Sequence, residues 1–174
     1  MSPMLIIVLA VFLAFAADFD LQTRRIPNEL LIIGLAVALT WQMTAGGWSG
    51  VANGLAGFGV GLGLMLPGWI LRFTGGGDVK LLAVVGAFVG SQTACYAFAL
   101  SIIIGAVIAI GVSVHAWAAR GAASPLTRYG AMMSGLLATG KLDYIRPEES
   151  EAVARRFPLA PAIALGSIGA VLWV

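Results

Sequence analysis

Residues 75–80 read Gly-Gly-Gly-Asp-Val-Lys and separate two long apolar runs, one that ends near Phe73 and one that starts at Leu81. A charged side chain at bilayer depth costs about 3 kcal/mol or more, so Asp78 and Lys80 at the mouth of an apolar helix call for a functional reason. The three glycines allow the backbone to turn sharply and to approach a substrate closely. We therefore treat Asp78 as a candidate functional residue and look for its partner elsewhere in the chain.

The composition is typical of a helical membrane protein. Of the 174 residues, 60% are hydrophobic and 10% are charged, and the mean hydropathy is +0.97, whereas soluble domains carry about 25% charged residues. Several runs approach the ~20 apolar residues that cross a bilayer. We predict an all-α, polytopic fold with a single transmembrane domain over residues 1–174. The net charge of +2 is too small to suggest nucleic-acid binding, and the single cysteine and single histidine argue against a disulfide or a metal site.

Six segments are predicted to cross the membrane: residues 3–17, 28–43, 51–71, 79–89, 96–118 and 158–173. The basic residues all fall in or beside the connections that follow the first, third and fifth segments. The positive-inside rule assigns these connections to the cytoplasm, so both termini are predicted on the non-cytoplasmic side. Residues 120–157 would then form a cytosolic loop.

The end of the first segment supplies a candidate partner for Asp78. Asp18 and Asp20 lie two residues apart, and on a helix they point about 200° away from each other, so one can face the bundle interior and the other the headgroups. Pro27 and Asn28 follow at the predicted start of the second segment. Asp20 and Asp78 are thus predicted at the same membrane face. If they meet in a low-dielectric site, one carboxylate keeps a proton, and the pair can activate water and polarise a peptide carbonyl, as in an aspartic protease.

Two strings resemble the type IV prepilin peptidases, which are GxGD-type intramembrane aspartic proteases. They are Asp-Leu-Gln-Thr-Arg-Arg-Ile-Pro-Asn at 20–28 and Gly-Gly-Gly-Asp-Val-Lys-Leu-Leu at 75–82. The resemblance implies that the first catalytic aspartate lies seven residues before the proline, which selects Asp20, and that the second closes the GxGD motif, which selects Asp78. A late stretch, 158–166, also resembles the last segment of the family. The residues implied as support for the site are Gly75, Gly77, Lys80, Pro27 and Asn28.

The resemblance implies an enzyme of the bacterial cytoplasmic membrane that removes the basic leader from prepilin-like membrane proteins and needs no cofactor or metal. Larger members carry an added N-terminal region with paired cysteines, associated with N-methylation. This chain begins at the first predicted segment, so we expect the minimal form found with tight-adherence (Flp-type) pili, without methyltransferase activity. In the predicted loop, Glu148, Glu149 and Glu151 either attract the basic leader or are simply solvated. The oligomeric state stays open.

Two other functions also remain open at this point. A small proton-coupled transporter would carry intramembrane acidic residues and a glycine-broken helix, although both aspartates are predicted at one interface and no inverted repeat is evident. A non-catalytic subunit of a pilus or secretion machine would tolerate substitution of either aspartate.

The sequence leaves the role of Lys80 open: it contacts substrate, tunes Asp78 or anchors at the headgroups. Glycine pairs at 57/61, 59/63 and 86/90 predict tight helix packing within the chain, with a dimerisation face as the alternative.

Overall fold

The computed structural model describes residues 2–71, 74–120, 134 and 159–173. Within these ranges the chain is helical and has no strand, which confirms the predicted all-α class. The helices are α1 (Pro3–Thr23), α2 (Asn28–Ile70), α3 (Gly76–Arg120) and α4 (Ala160–Trp173). Most of the predicted 120–157 loop, including its three glutamates, lies outside the described residues.

The chain divides into two compact units. The first comprises Met1–Gly105 together with Pro158–Val174, and the second comprises Ala106–Phe157. The first unit contains α1, α2, α4 and the first part of α3, together with Asp20, Asp78 and their predicted support residues. The second unit contains the last part of α3.

The outer faces of the helices are as apolar as their inner faces. Among the described residues, three helices are long and apolar enough to cross a membrane, Pro3–Thr23, Asn28–Ile70 and Gly76–Val112, and α4 is a shorter apolar helix. α1 buries Leu5 and Leu9 but exposes Ile7 and Val11. A helix on the surface of a soluble protein would present polar residues on its outer face. The protein is therefore a helical membrane protein.

One glycine in α2 and one in α3 depart from helical geometry. Gly47 has φ 59° and ψ −144°, and Gly90 has φ 81° and ψ 173°, a region that favours glycine. Gly50 packs against the backbone of Gln42. Along a straight helix these two residues would lie about 12 Å apart, so α2 reverses direction at Gly47. A straight helix of 43 residues would also measure about 65 Å, roughly twice the hydrocarbon thickness.

The helices extend beyond the predicted membrane segments. α1 continues to Thr23, past the segment predicted to end at 17, and the predicted connections at 44–50 and 90–94 each contain one non-helical glycine within α2 and α3. α3 begins at Gly76 rather than at 79, so Gly76 and Gly77 are helical and the chain turns before them. Hydropathy reports where the apolar stretch ends, whereas backbone hydrogen bonds carry a helix on into polar residues at the interface.

The first half of α3 is the centre of the fold. Every residue from 81 to 90 is buried, as expected of a run that contains no polar side chain. α1 contacts this segment through Phe12, whose ring centroid lies 5.8 Å from that of Phe88. From the first half of α2, the side-chain amide of Gln42 donates hydrogen bonds to the carbonyls of Ala87 (3.2 Å) and Phe88 (3.1 Å). These carbonyls lie in the last turn before the break in α3, where intrahelical donors run out.

The second half of α2 crosses this buried segment at backbone contact. A Cβ atom on Gly57 would overlap the carbonyl group of Gly86, and one on Gly61 would overlap the backbone one turn earlier in α3. The prediction of tight packing within the chain is thus confirmed for Gly57 and Gly61. Gly59 and Gly63 take no part in this crossing, because an added Cβ at either position meets nothing within 4 Å.

Gly57→Ala should destabilise the protein, because its new methyl group would meet backbone atoms of Gly86 that no side-chain rotation can move. Overpacking of this kind costs about 1–3 kcal/mol. The matched control is Gly59→Ala, which faces open space and should be neutral or gain up to about 1 kcal/mol from helix propensity. Thermal unfolding in detergent gives the comparison. Equal Tm shifts in the two variants would contradict the backbone crossing.

Candidate active site

Asp20 continues the buried stripe of α1, which runs from Leu5 to Ala16 at helical spacing, and is only 8% exposed. Asp18 is exposed, and its Oδ2 accepts a 2.7 Å hydrogen bond from Nε2 of Gln22. The prediction that the two aspartates point apart, with one of them in the interior, is therefore confirmed. Asp20 is the one in the interior.

The start of α4 holds the Asp20 carboxylate in place. The backbone N–H of Ala160 donates a 3.2 Å hydrogen bond to Oδ2 of Asp20. Ala160 is the first residue of α4, where backbone N–H groups have no intrahelical acceptor and the helix dipole favours negative charge. The backbone carbonyl of Asp20 accepts a 2.9 Å hydrogen bond from Arg24, which ends α1 in the left-handed conformation with φ 53°. Asp20 is thus fixed through both its side chain and its main chain.

Asp78 lies in the first turn of α3, and its side chain reaches back to the residue before the helix. Its Oδ2 accepts a 3.1 Å hydrogen bond from the N–H of Gly75, and the carbonyl of Gly75 accepts one of 3.4 Å from Val79. This arrangement corresponds to the acidic half of a capping box. A Cβ on Gly75 would come within 3.0 Å of the Asp78 carboxylate, so glycine leaves room for it there.

The two carboxylates lie within electrostatic reach of each other. Each carboxylate uses its Oδ2 to accept a backbone N–H, and in the described part of the chain no hydrogen bond reaches either Oδ1. Two like charges in a low-dielectric site do not ionise together easily, so such a pair can hold one proton between them. It can then act as an acid and a base at once.

A short segment before α2 covers the first turn of α3. Ile26 is buried, and its Cγ1 would lie 3.5 Å from a Cβ placed on Gly77. Asn28 is the first residue of α2, after Pro27, and its Oδ1 accepts a 2.9 Å hydrogen bond from Nζ of Lys80. Gly75, Gly77, Asn28 and Lys80 thus make contacts at or beside the first turn of α3. Among the described residues, no group of three or more His, Cys, Asp or Glu side chains could hold a metal ion.

Two contributors to the site were missed by reasoning from the sequence. The N–H of Ala160 is a main-chain donor and has no side-chain signature; its one signal is the pair of prolines at 158 and 161 that flank the start of an apolar helix. Ile26 reads as an ordinary apolar residue in a polar connection. Ile26 packs where a side chain at position 77 would lie, and only the tertiary structure shows that the two residues are neighbours.

Comparison with known proteins places the chain among peptidases. The model of a family described as "Type IV leader peptidase family" matches residues 7–110, a range that includes Asp20 and Asp78. The prepilin leader peptidase/N-methyltransferase of Bacillus subtilis (strain 168) is 32% identical over 165 residues, which cover 92% of this chain and 52% of that protein. The chain therefore spans about half the length of this curated relative. No solved structure matches.

The hydrogen bond from Ala160 to Asp20 should be measurable as a coupling energy. Ala160→Pro removes the N–H at the first helical position, where proline is tolerated, and the same substitution in an Asp20→Leu background gives the cost of the ring when no carboxylate accepts that N–H. A double-mutant cycle in unfolding free energy with Asp20→Leu should therefore give a coupling of about 1–3 kcal/mol, as for a hydrogen bond to a charged group. Additive effects in the cycle would show that this contact does not hold Asp20.

Proposed function

The chain belongs to the type IV leader peptidase family, and on that premise we propose that it is a membrane-embedded aspartic endopeptidase that removes the leader peptide from prepilin-like proteins. Asp20 and Asp78 are the proposed catalytic pair. The observation that carries the proposal is that a buried carboxylate from α1 lies within electrostatic reach of a carboxylate from the first turn of α3. The proposed support residues, described above around Asp78, are Gly75, Gly77, Pro27, Asn28 and Lys80.

The two carboxylates divide the work of peptide hydrolysis. The ionised one accepts a proton from water as the water oxygen attacks the scissile carbonyl carbon, and the protonated one donates a hydrogen bond to the carbonyl oxygen. Proton transfer to the leaving nitrogen then lets the carbon–nitrogen bond break. Backbone N–H groups fix one oxygen of each carboxylate, so the other oxygen can face the water or the peptide with its orientation already set. This mechanism needs no metal or cofactor.

We infer that the chain crosses the membrane six times, with α1, both halves of α2, both halves of α3 and α4, and that both termini lie on the non-cytoplasmic side. The turns at Gly47 and Gly90 support this, because each divides a helix that is too long for one crossing. Trp48 and Trp173 are 79% and 87% exposed at the inferred non-cytoplasmic ends, where tryptophan is enriched. The site then opens at the cytoplasmic face, beside the exposed Arg24 and Arg25.

A substrate that suits this position is a membrane protein with one apolar helix and a short basic leader in the cytoplasm. The apolar helix remains in the bilayer, which lowers the entropy lost on binding because the substrate arrives already oriented. The scissile bond then lies at the interface, level with Asp20 and Asp78. We therefore place the enzyme in the bacterial cytoplasmic membrane and take prepilin-like proteins as its substrates.

Asp20→Asn and Asp78→Asn should each abolish leader cleavage of a co-expressed prepilin, with a rate loss of at least about 10²-fold, because a carboxamide acts as neither an acid nor a base near neutral pH. Asparagine keeps the size of the side chain and an oxygen that can accept the backbone N–H. Asp18→Asn is the matched control: Asp18 is exposed two residues away, so its variant should cleave within about twofold of the wild type. Immunoblots of precursor and mature pilin measure the effect, and the amount of enzyme in the membrane is measured in parallel.

Full processing in both asparagine variants would contradict the proposal. The two aspartates would then have a structural role, as in an assembly subunit, or would conduct protons, as in a transporter. A pH-dependent proton flux in proteoliposomes that Asp20→Asn removes would identify the transporter.

The proposed topology can be tested by thiol labelling in spheroplasts in a Cys95→Ser background. Ser49→Cys, beside the turn at Gly47, should react with a membrane-impermeant maleimide from outside. Gln22→Cys, near the end of α1, should react only after permeabilisation. Both positions are exposed, so the membrane and not local burial decides the result. The reverse pattern would contradict the assigned orientation, and labelling of both positions from outside would contradict a crossing between them.

A further inference from the structure

We propose that Asn28 and Lys80 form a positioning clamp that sets where Asp78 sits relative to Asp20. This inference rests on the proposed function, because it assigns a task to two residues beside the catalytic pair. It replaces the alternatives considered for Lys80, which were substrate contact, direct tuning of Asp78 and anchoring at the headgroups. The hydrogen bond of 2.9 Å from Nζ of Lys80 to Oδ1 of Asn28 engages the ammonium group with the protein itself.

The clamp has two contacts, and they lie on either side of Asp78. One position before it, Gly77 lies against the buried side chain of Ile26. Two positions after it, Lys80 is held by Asn28. The same three-residue segment, 26–28, therefore contacts the start of α3 on both sides of Asp78. Rotation or sliding of that turn about the helix axis would break at least one of the two contacts.

The same segment is tied to Asp20 through the chain. α1 ends with the hydrogen bond from Arg24 to the carbonyl of Asp20, and α2 begins at Asn28. Only residues 24–27 lie between the two helices, so the segment that grips α3 has little freedom to move away from the end of α1. The clamp thus connects the Asp78 backbone to the Asp20 backbone by a short path that includes no substrate.

The first turn of α3 is less enclosed than the segment that follows it, although its Val79 is buried in the core. Residues 81–90 are buried on all sides, whereas Asp78 is only partly buried and Lys80 is exposed. The first turn of a helix frays more readily than its centre. A solvent-exposed hydrogen bond contributes little to global stability, but it can restrict the local position of this turn. Reactions are sensitive to such restriction, because a small displacement of a catalytic group reduces the fraction of productive complexes.

A double-mutant cycle in cleavage kinetics tests the clamp. Lys80→Met keeps most of the length of the side chain and removes the ammonium, and Asn28→Ala removes its acceptor. Each variant should lower kcat by roughly tenfold with KM within about twofold of the wild type, since the substrate does not touch either group. The double variant should be no slower than the slower single variant. Asn28→Asp keeps an oxygen acceptor for Lys80, so it should retain most of the wild-type kcat, and Tm should be unchanged in all four proteins.

Three results would overturn the clamp. A raised KM in Lys80→Met with normal kinetics in Asn28→Ala would mean that Lys80 binds the substrate. Rate losses that multiply in the double variant would mean that the two residues act separately. A fall in Tm that parallels the loss of kcat would mean that the pair supports the whole fold and not the site.

A readout that needs no substrate separates failure of the clamp from failure of the proposed function. In a Cys95→Ser background, the maleimide labelling rate of Asp78→Cys reports how freely the first turn of α3 opens. Adding Asn28→Ala or Lys80→Met should raise this rate severalfold, and adding Asn28→Asp should not. Unchanged rates would overturn the clamp whether or not the protein cleaves prepilins. If no prepilin is cleaved while the rates change as expected, the function fails and the clamp stands.

Discussion

The crossing of α2 over α3 at Gly57 and Gly86 is the constraint on which the rest of the structure depends. In lipid the hydrophobic effect does not drive helices together, so close backbone packing has to supply the contact. Here the glycines remove the side chains from both helices at the point of crossing. With α1 and the first half of α2 on its other sides, the segment over residues 81–90 becomes fully buried. A segment enclosed in this way presents its N-terminal turn, with Asp78, at a defined place.

The site combines two carboxylates with two helix starts. Asp78 caps its own helix, α3, whereas Asp20 accepts an N–H from the first residue of α4. Charges near the bilayer are expensive, and a backbone N–H at a helix start offsets part of that cost without adding a second charged side chain. Each carboxylate still keeps one oxygen outside these hydrogen bonds. The same interactions that make the charges tolerable therefore also orient them, which is what a pair of acid and base groups requires.

Much of this was predictable from local pattern, and the remainder depends on tertiary contacts. The helical class and the start of α2 at Asn28 follow from hydropathy and the proline at 27, and helical spacing predicts that Asp18 and Asp20 point apart. The choice of Asp20 over Asp18 came from the resemblance to the prepilin peptidases. The helix ends cannot be predicted from these patterns, because α1 and α3 extend beyond the apolar runs by backbone hydrogen bonding alone. The pairing of Lys80 with Asn28 cannot be predicted from local pattern either, since no spacing rule connects residues on different helices. The N–H of Ala160 belongs to the main chain, and every residue except proline has one.

The most direct test of the account is whether Asp20 and Asp78 are neighbours in the membrane. Asp20→Cys and Asp78→Cys, combined in a Cys95→Ser background, can be treated with a short bismaleimide in native membranes and analysed by mass spectrometry after digestion. We predict an intramolecular cross-link in high yield, and a much lower yield for Asp18→Cys with Asp78→Cys, because Asp18 points away from the interior. Equal yields in the two pairs, or no cross-link in the first, would contradict it.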